Sequence, residues 1–135
     1  MSEKLEQIII DVLVEKLSPY LIILFGSTVN GYTHSDSDID IAFLNDRKNF
    51  DKYELFMIAQ ELAAKLNRDI DLIDLNQSST VFQAQIIQTG KAIYCTDKQK
   101  KANFELKAFK MYAKLNEERS VILKKIYESG SIYEK

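Results

Sequence analysis

Apolar and polar positions alternate along this chain in two periods, and the switches between them mark out the elements. Over 2–17, Leu5, Ile8, Ile9, Val12, Leu13 and Leu17 recur at helical spacing, which predicts an amphipathic helix. Ser18-Pro19 ends it, because a proline disfavours helix in the residue before it. The run 20–25 is apolar throughout and predicts a buried strand, and 38–44 predicts a second one, in which Asp38 and Asp40 face one way and Ile39, Ile41 and Phe43 the other. Between them, 28–31 predicts a short helical turn and 32–37 a polar loop. Phe50, Tyr53, Phe56, Met57, Leu62, Ala63 and Leu66 trace a second helix with a mainly apolar face, and Asn67 is its stop. Residues 69–75 (D-I-D-L-I-D-L) predict a third strand, 78–88 a helix begun by Ser78 or Ser79 and followed by Gly90, and 91–95 an edge strand or covering segment. From 97 to 127 there is no Pro or Gly, and apolar residues repeat at three- and four-residue steps: one long helix, or two joined near 116–119. Alternating helices and strands give an α/β (α+β) fold, a small mixed sheet flanked by helices.

Composition narrows this picture only modestly. A chain of 135 residues, 46% hydrophobic and 28% charged, is an ordinary globular domain that can bury a core. A single cysteine, Cys95, cannot form an internal disulfide and is expected as a small buried residue at a strand end. No apolar run approaches a membrane-spanning length and the N-terminus lacks a signal-peptide pattern, so a cytoplasmic protein is expected. The net charge of −2 divides unevenly, with −6 over 1–95 and +4 over 96–135. A helix carrying both signs is usually a solvated face, so a protein partner is favoured over nucleic acid. The single His34, in the loop before the Asp pair, cannot build a histidine metal site.

The candidate chemistry lies between Phe25 and Phe43. Gly26-Ser27 directly follows a strand; Gly26 lets backbone approach a ligand, while Ser27 and the N–H groups of the turn can hold phosphate oxygens. Ten residues on come Asp38 and Asp40, two carboxylates about 7 Å apart on one face of a strand, which repel each other unless a cation lies between them. Hard oxygen ligands suit Mg²⁺. A phosphate-binding turn beside a metal-binding carboxylate pair describes a nucleoside triphosphate site. Gly26 and Gly31 have the spacing of the two Walker A glycines, but no Lys-Ser/Thr follows, which excludes a P-loop. In the third strand, Asp71 is an aspartate amid apolar residues, expensive to bury unless paired. Asp69 and Asp74 are its rivals, with solvent-reaching strand ends as the competing reading.

Gly-Ser, ten residues, Asp-x-Asp resembles the signature of the DNA polymerase β-like nucleotidyltransferases. In size and detail, with Gly26, Ser27, Gly31, Ser37, Asp38 and Asp40 all matching, the chain is most similar to the minimal nucleotidyltransferases (MNT domains), above all the MntA antitoxins encoded beside HEPN-domain toxins. The resemblance covers roughly residues 15–95 well and the tail more loosely. It implies a nucleotidyltransferase core over 1–95 and a helical extension over 96–135 that packs on the core and on a partner. It implies that Asp38, Asp40 and Asp71 are the catalytic, metal-holding carboxylates, for two Mg²⁺ ions, and that Gly26, Ser27 and Ser37 bind the nucleotide, with ATP as co-substrate. The acceptor it implies is a tyrosine of a HEPN ribonuclease toxin, AMP placed there neutralising the toxin. A homodimer or a hetero-oligomer with the toxin stays open. One departure stands out: many relatives carry a basic residue between Gly-Ser and the second glycine, where this chain has Thr28-Val29-Asn30, leaving Lys48, Lys52 or Arg68 to supply positive charge. Two alternatives remain beside this reading: transfer to a small-molecule acceptor, and an antitoxin that acts by contact alone over a relic site. A template-copying polymerase is disfavoured, since there is no second basic domain to hold a duplex.

Overall fold

The computed structural model describes residues 2–29, 38–47 and 50–129. Its elements are α1 (Glu3–Leu17), β1 (Leu21–Phe25), a 3₁₀ turn (Gly26–Thr28), β2 (Ile39–Leu44), α2 (Lys52–Leu66), β3 (Ile70–Asp74), a second 3₁₀ turn (Leu75–Gln77), α3 (Thr80–Thr89), β4 (Lys91–Cys95) and α4 (Lys98–Ser129). Each helix starts where a short polar side chain can cap it. Ser2 Oγ accepts from Leu5 N–H at 3.3 Å, Asp51 Oδ1 from Tyr53 N–H at 3.0 Å, and Ser79 Oγ from Phe82 N–H at 3.2 Å. Asp97 Oδ1 takes the N–H groups of Gln99 and Lys100 at 3.1 and 3.0 Å, opening α4. Ser18 and Asn67 close α1 and α2 in the left-handed conformation, each returning its backbone N–H to the last turn.

The sheet runs β3-β2-β1-β4. β1 pairs antiparallel with β2 and β4, while β3 lies parallel to β2, the two joined through α2. Each face has its own core. Ile39, Ile41 and Phe43 of β2 and Ile22 and Leu24 of β1 pack under α1 (Ile9, Val12, Leu13, Leu17) and α2 (Ile58, Leu62, Leu66). Ala42, Leu44, Leu21, Ile23 and Phe25 face the other way, against Leu75, Ile86, Phe82 and Phe104. The register slips by one residue between Ile22 and Ile23 opposite β4, and Ile93 and Tyr94 consequently both reach the first cluster.

The predicted elements are largely these, with informative departures. The long C-terminal segment is one helix of 32 residues, not two. Its first part is anchored through half-buried Phe104 and buried Ala108. Tyr53, Phe56 and Met57, expected on the apolar face of α2, are exposed, because the sheet covers only the Ile58, Ala59, Leu62 and Leu66 stripe. Gly90 follows α3 in an extended conformation; a side chain there would drive its Cβ to 2.4 Å from Ile23 Cγ2 and 2.6 Å from Ile86 O, so it is a glycine for space. Cys95 ends β4 half-buried. No described helix is long and apolar enough to cross a membrane.

Candidate active site

The site is laid out by strand register. Asp40 lies in the second position of β2, where it pairs with Phe25, the last residue of β1, on one side and with Asp71 of β3 on the other. A parallel pair in register puts both side chains on the same face. Asp38, two residues before Asp40, belongs to that face by the same alternation and is exposed. Three carboxylates from two neighbouring strands therefore meet at one end of the sheet. Asp40 registers their charge: its carboxyl is pushed above the ordinary aspartate range, first by burial, then by the negative charges of Asp71 and Asp38.

The other side of Asp40 is closed by the turn after β1. Gly26 has φ +66°, a conformation that an L side chain resists, and a Cβ built there would lie 2.4 Å from Asp40 Oδ2. Glycine is thus required twice, by the turn and by the carboxylate resting against it. Thr28, 6% exposed, accepts the backbone N–H of Asp40 on its hydroxyl at 3.0 Å, fixing the turn to the start of β2. Sequence reasoning gave Thr28 no role; a polar residue two places after Gly-Ser offered too little to separate it from a turn residue.

The structure revises the reading of the third strand. Asp71 is exposed, because β3 is the outer strand, and burial does not set its cost. Asp69 is exposed as well, and its carbonyl accepts the N–H of Ile39 at 2.9 Å. Asp74 is not a solvent-reaching strand end. It is 7% exposed, its Oδ1 accepts from Asn76 N–H at 3.0 Å, and its Oδ2 has no hydrogen-bond partner. Burial drives its carboxyl pKa upward. Gly31, His34, Ser37 and Lys48, and the side chain of Ser27, lie outside the described residues. Of the three basic candidates, Lys52 lines the groove that also contains Asp71.

The donor set is all oxygen, which suits a hard divalent cation, and such a cation would offset both the burial and the carboxylate repulsion that raise Asp40. Among the described residues no three carboxylate, cysteine or histidine side chains already form a closed ligand cage. Asp38 and Asp71 are both exposed.

A mixed sheet with a glycine turn pressed on a strand-borne carboxylate, and a second strand delivering a third, is the framework of a nucleotidyltransferase. The chain belongs to the polymerase beta nucleotidyltransferase family, whose model matches residues 7–99, extending the recognised region into α1 and just beyond β4. It is 41% identical over 105 residues to the protein adenylyltransferase MntA of Shewanella oneidensis, covering 76% of this chain and 73% of that protein. Among solved structures, it superposes with a TM-score of 0.79 and 37% identity on a chain of a toxin–antitoxin crystal structure with AMP-PNP, covering 90% of this chain and 98% of that one. It also superposes, at a TM-score of 0.76 and 35% identity over 94% of this chain and 99% of the other, on a chain of the tri-AMPylated Shewanella oneidensis HEPN toxin in complex with MNT antitoxin.

Proposed function

We propose that this chain is an antitoxin that acts as a protein adenylyltransferase, transferring AMP from ATP to a tyrosine of a HEPN-domain toxin. The observation that carries the reading is the row formed by Gly26, Asp40 and Asp71, set by the pairing of three adjacent strands. The kinship with MntA adenylyltransferases supports the choice of a protein acceptor.

In this reading Asp38, Asp40 and Asp71 would hold Mg²⁺, two ions in all, which when bound supplies charge neutralisation and activation of a hydroxyl. Gly26 and Ser27, with Ser37, bind the triphosphate, the glycine because it lets backbone approach where a side chain would collide. Thr28 holds the main chain of Asp40, so the carboxylate and the phosphate turn keep one geometry. The acceptor oxygen forms a bond to the α-phosphorus as the bond to the bridging oxygen breaks, and pyrophosphate leaves. Asp71, exposed beside Asp40, accepts the hydroxyl proton. Positioning and electrostatics carry this class of reaction. The helical extension, α4, packs on the core through its first turns and offers the remainder to the toxin.

The test is intact-mass spectrometry of the cognate HEPN toxin after incubation with this chain, ATP and Mg²⁺. Gains of whole AMP units, absent with Asp40→Asn and with EDTA, are expected. An unmodified toxin that is nonetheless neutralised by both wild type and Asp40→Asn would replace this reading with inhibition by contact alone.

A further inference from the structure

The turn after β1 meets Asp40 at two points. Gly26 lies against its carboxylate, where a Cβ would collide with Oδ2. Thr28 meets its main chain: Oγ1 accepts the Asp40 N–H at 3.0 Å, although the two residues stand twelve apart in sequence. The direction of that bond follows from the strand. Ile39 sends its N–H to Asp69 O at 2.9 Å, toward β3. Successive N–H groups of a strand point to opposite sides, so that of Asp40 points toward β1. There β1 has ended at Phe25, the chain has entered the turn, and the Thr28 hydroxyl meets it.

A threonine whose only task was to make a turn could leave its hydroxyl in water. This one is 6% exposed, and it is bonded to the residue that carries the central carboxylate of the row. Val29, the next residue, packs against the core under α1. Two of the three positions where the family resemblance leads to a basic residue are thus turned inward as anchors. The turn between strand and strand is held by its geometry, not by a side-chain charge at those two positions.

We infer that Thr28 is a positioning residue of the AMP transfer proposed above, on which this inference rests, and that its hydroxyl acts on kcat rather than on nucleotide binding. The bond locks the phosphate-binding turn to the backbone of Asp40, so that triphosphate and carboxylates share one frame. Without the hydroxyl each half of the site survives: the turn keeps its N–H groups, and β2 keeps its carboxylates. What is lost is their spacing, and a loss of spacing falls on the transition state while ground-state binding persists.

Two measurements on Thr28→Val and Thr28→Ser test this. Valine keeps the branched shape and removes the acceptor; serine keeps the acceptor. Amide hydrogen exchange followed by NMR reads the bond itself, independently of any reaction. The Asp40 amide should exchange at least tenfold faster in Thr28→Val and as in wild type in Thr28→Ser, with the Ile39 amide unchanged in both. Steady-state AMP transfer to the cognate HEPN toxin, per folded enzyme, should then show kcat at least tenfold lower in Thr28→Val, with the KM for ATP and the affinity for AMP-PNP within about twofold. Thr28→Ser should keep kcat within about threefold. Ser79→Ala, which removes the cap of α3, is the control for lost stability alone: Tm falls and kcat per folded enzyme stays. A wild-type kcat in Thr28→Val, a Thr28→Ser as slow as Thr28→Val, or a rise in KM for ATP without a fall in kcat overturns the assignment. So does an unchanged Asp40 exchange rate. Absence of AMP transfer by wild type refutes the proposed reaction, and the assignment with it, a different result from loss in Thr28→Val alone.

Discussion

Replacing Gly26 by alanine tests the active row with a single methyl group. The added Cβ would meet Asp40 Oδ2 at 2.4 Å and Asp40 Cγ at 3.3 Å. Contacts that short do not persist, and the atom that gives way is the far end of a side chain, so the carboxylate turns aside while the backbone holds. The fold loses little by that movement. The larger cost to stability is φ +66°, which an alanine occupies at about 1–2 kcal/mol, a drop in Tm of roughly 4–8 °C for a domain of this size. Activity should fall much further, since a misplacement near 1 Å costs on the order of 100-fold. The assay is initial-rate AMP transfer at saturating ATP and toxin, normalised to folded protein by circular dichroism. Gly90→Ala is the matched control: its Cβ would strike Ile23 Cγ2 and two backbone carbonyls, none of them in the site. It should lower Tm by as much or more and leave the specific activity of the folded fraction within about twofold. A Gly26→Ala enzyme of wild-type specific activity would refute the reasoning, because Asp40 would then not depend on the space that the glycine leaves.

Three further outcomes can be checked. Because burial raises the Asp74 carboxyl in the folded chain above its unfolded value, ionising it opposes folding: the penalty is absent below the unfolded aspartate pKa and complete above the folded one. Asp74→Asn keeps the acceptor for Asn76 and removes the charge, so thermal melts should show it more stable than wild type at pH 7, with the gain vanishing as pH falls below the unfolded aspartate pKa. Mg²⁺ at ten times its dissociation constant should stabilise the chain by about 1.4 kcal/mol, a shift readable in differential scanning fluorimetry and lost in Asp40→Asn. Ser18→Gly, at φ +46°, should raise Tm by several degrees, whereas Asn67→Gly at φ +54° should gain less, since asparagine tolerates the left-handed region.

Local pattern and global environment contributed differently to what the sequence disclosed. α1 and α3 were legible because one face of each is covered and the apolar period records it, and β1 and β2 because cores on both faces of the sheet leave them near-continuous apolar runs. The Gly-Ser and Asp-x-Asp spacing was legible because both sit at the ends of strands that pair with each other, Phe25 opposite Asp40. Strand rank in the sheet was not. Asp71 was expected to need pairing on burial and is exposed, since nothing within 69–75 says that β3 lies outermost. For Asp74 a solvent-reaching strand end was the competing reading; it is buried, its Oδ1 accepting the N–H of Asn76 in the 3₁₀ turn that follows. The α2 period likewise announced an apolar side without saying how wide a stripe the sheet would cover, which left Tyr53, Phe56 and Met57 outside.

The parallel pairing of β2 with β3 also sets a clock. Asp38 and Asp40 leave the ribosome first, but Asp71 follows about thirty residues later, roughly 2–6 s at ordinary elongation rates. It then reaches Asp40 only when α2 has crossed the sheet and β3 has docked. In the function proposed above, a nascent chain that displays the Gly-Ser and Asp-x-Asp motif still lacks its third carboxylate until β3 has paired with β2. The closure of β3 on β2, not the emergence of the motif, is the moment at which the row is complete.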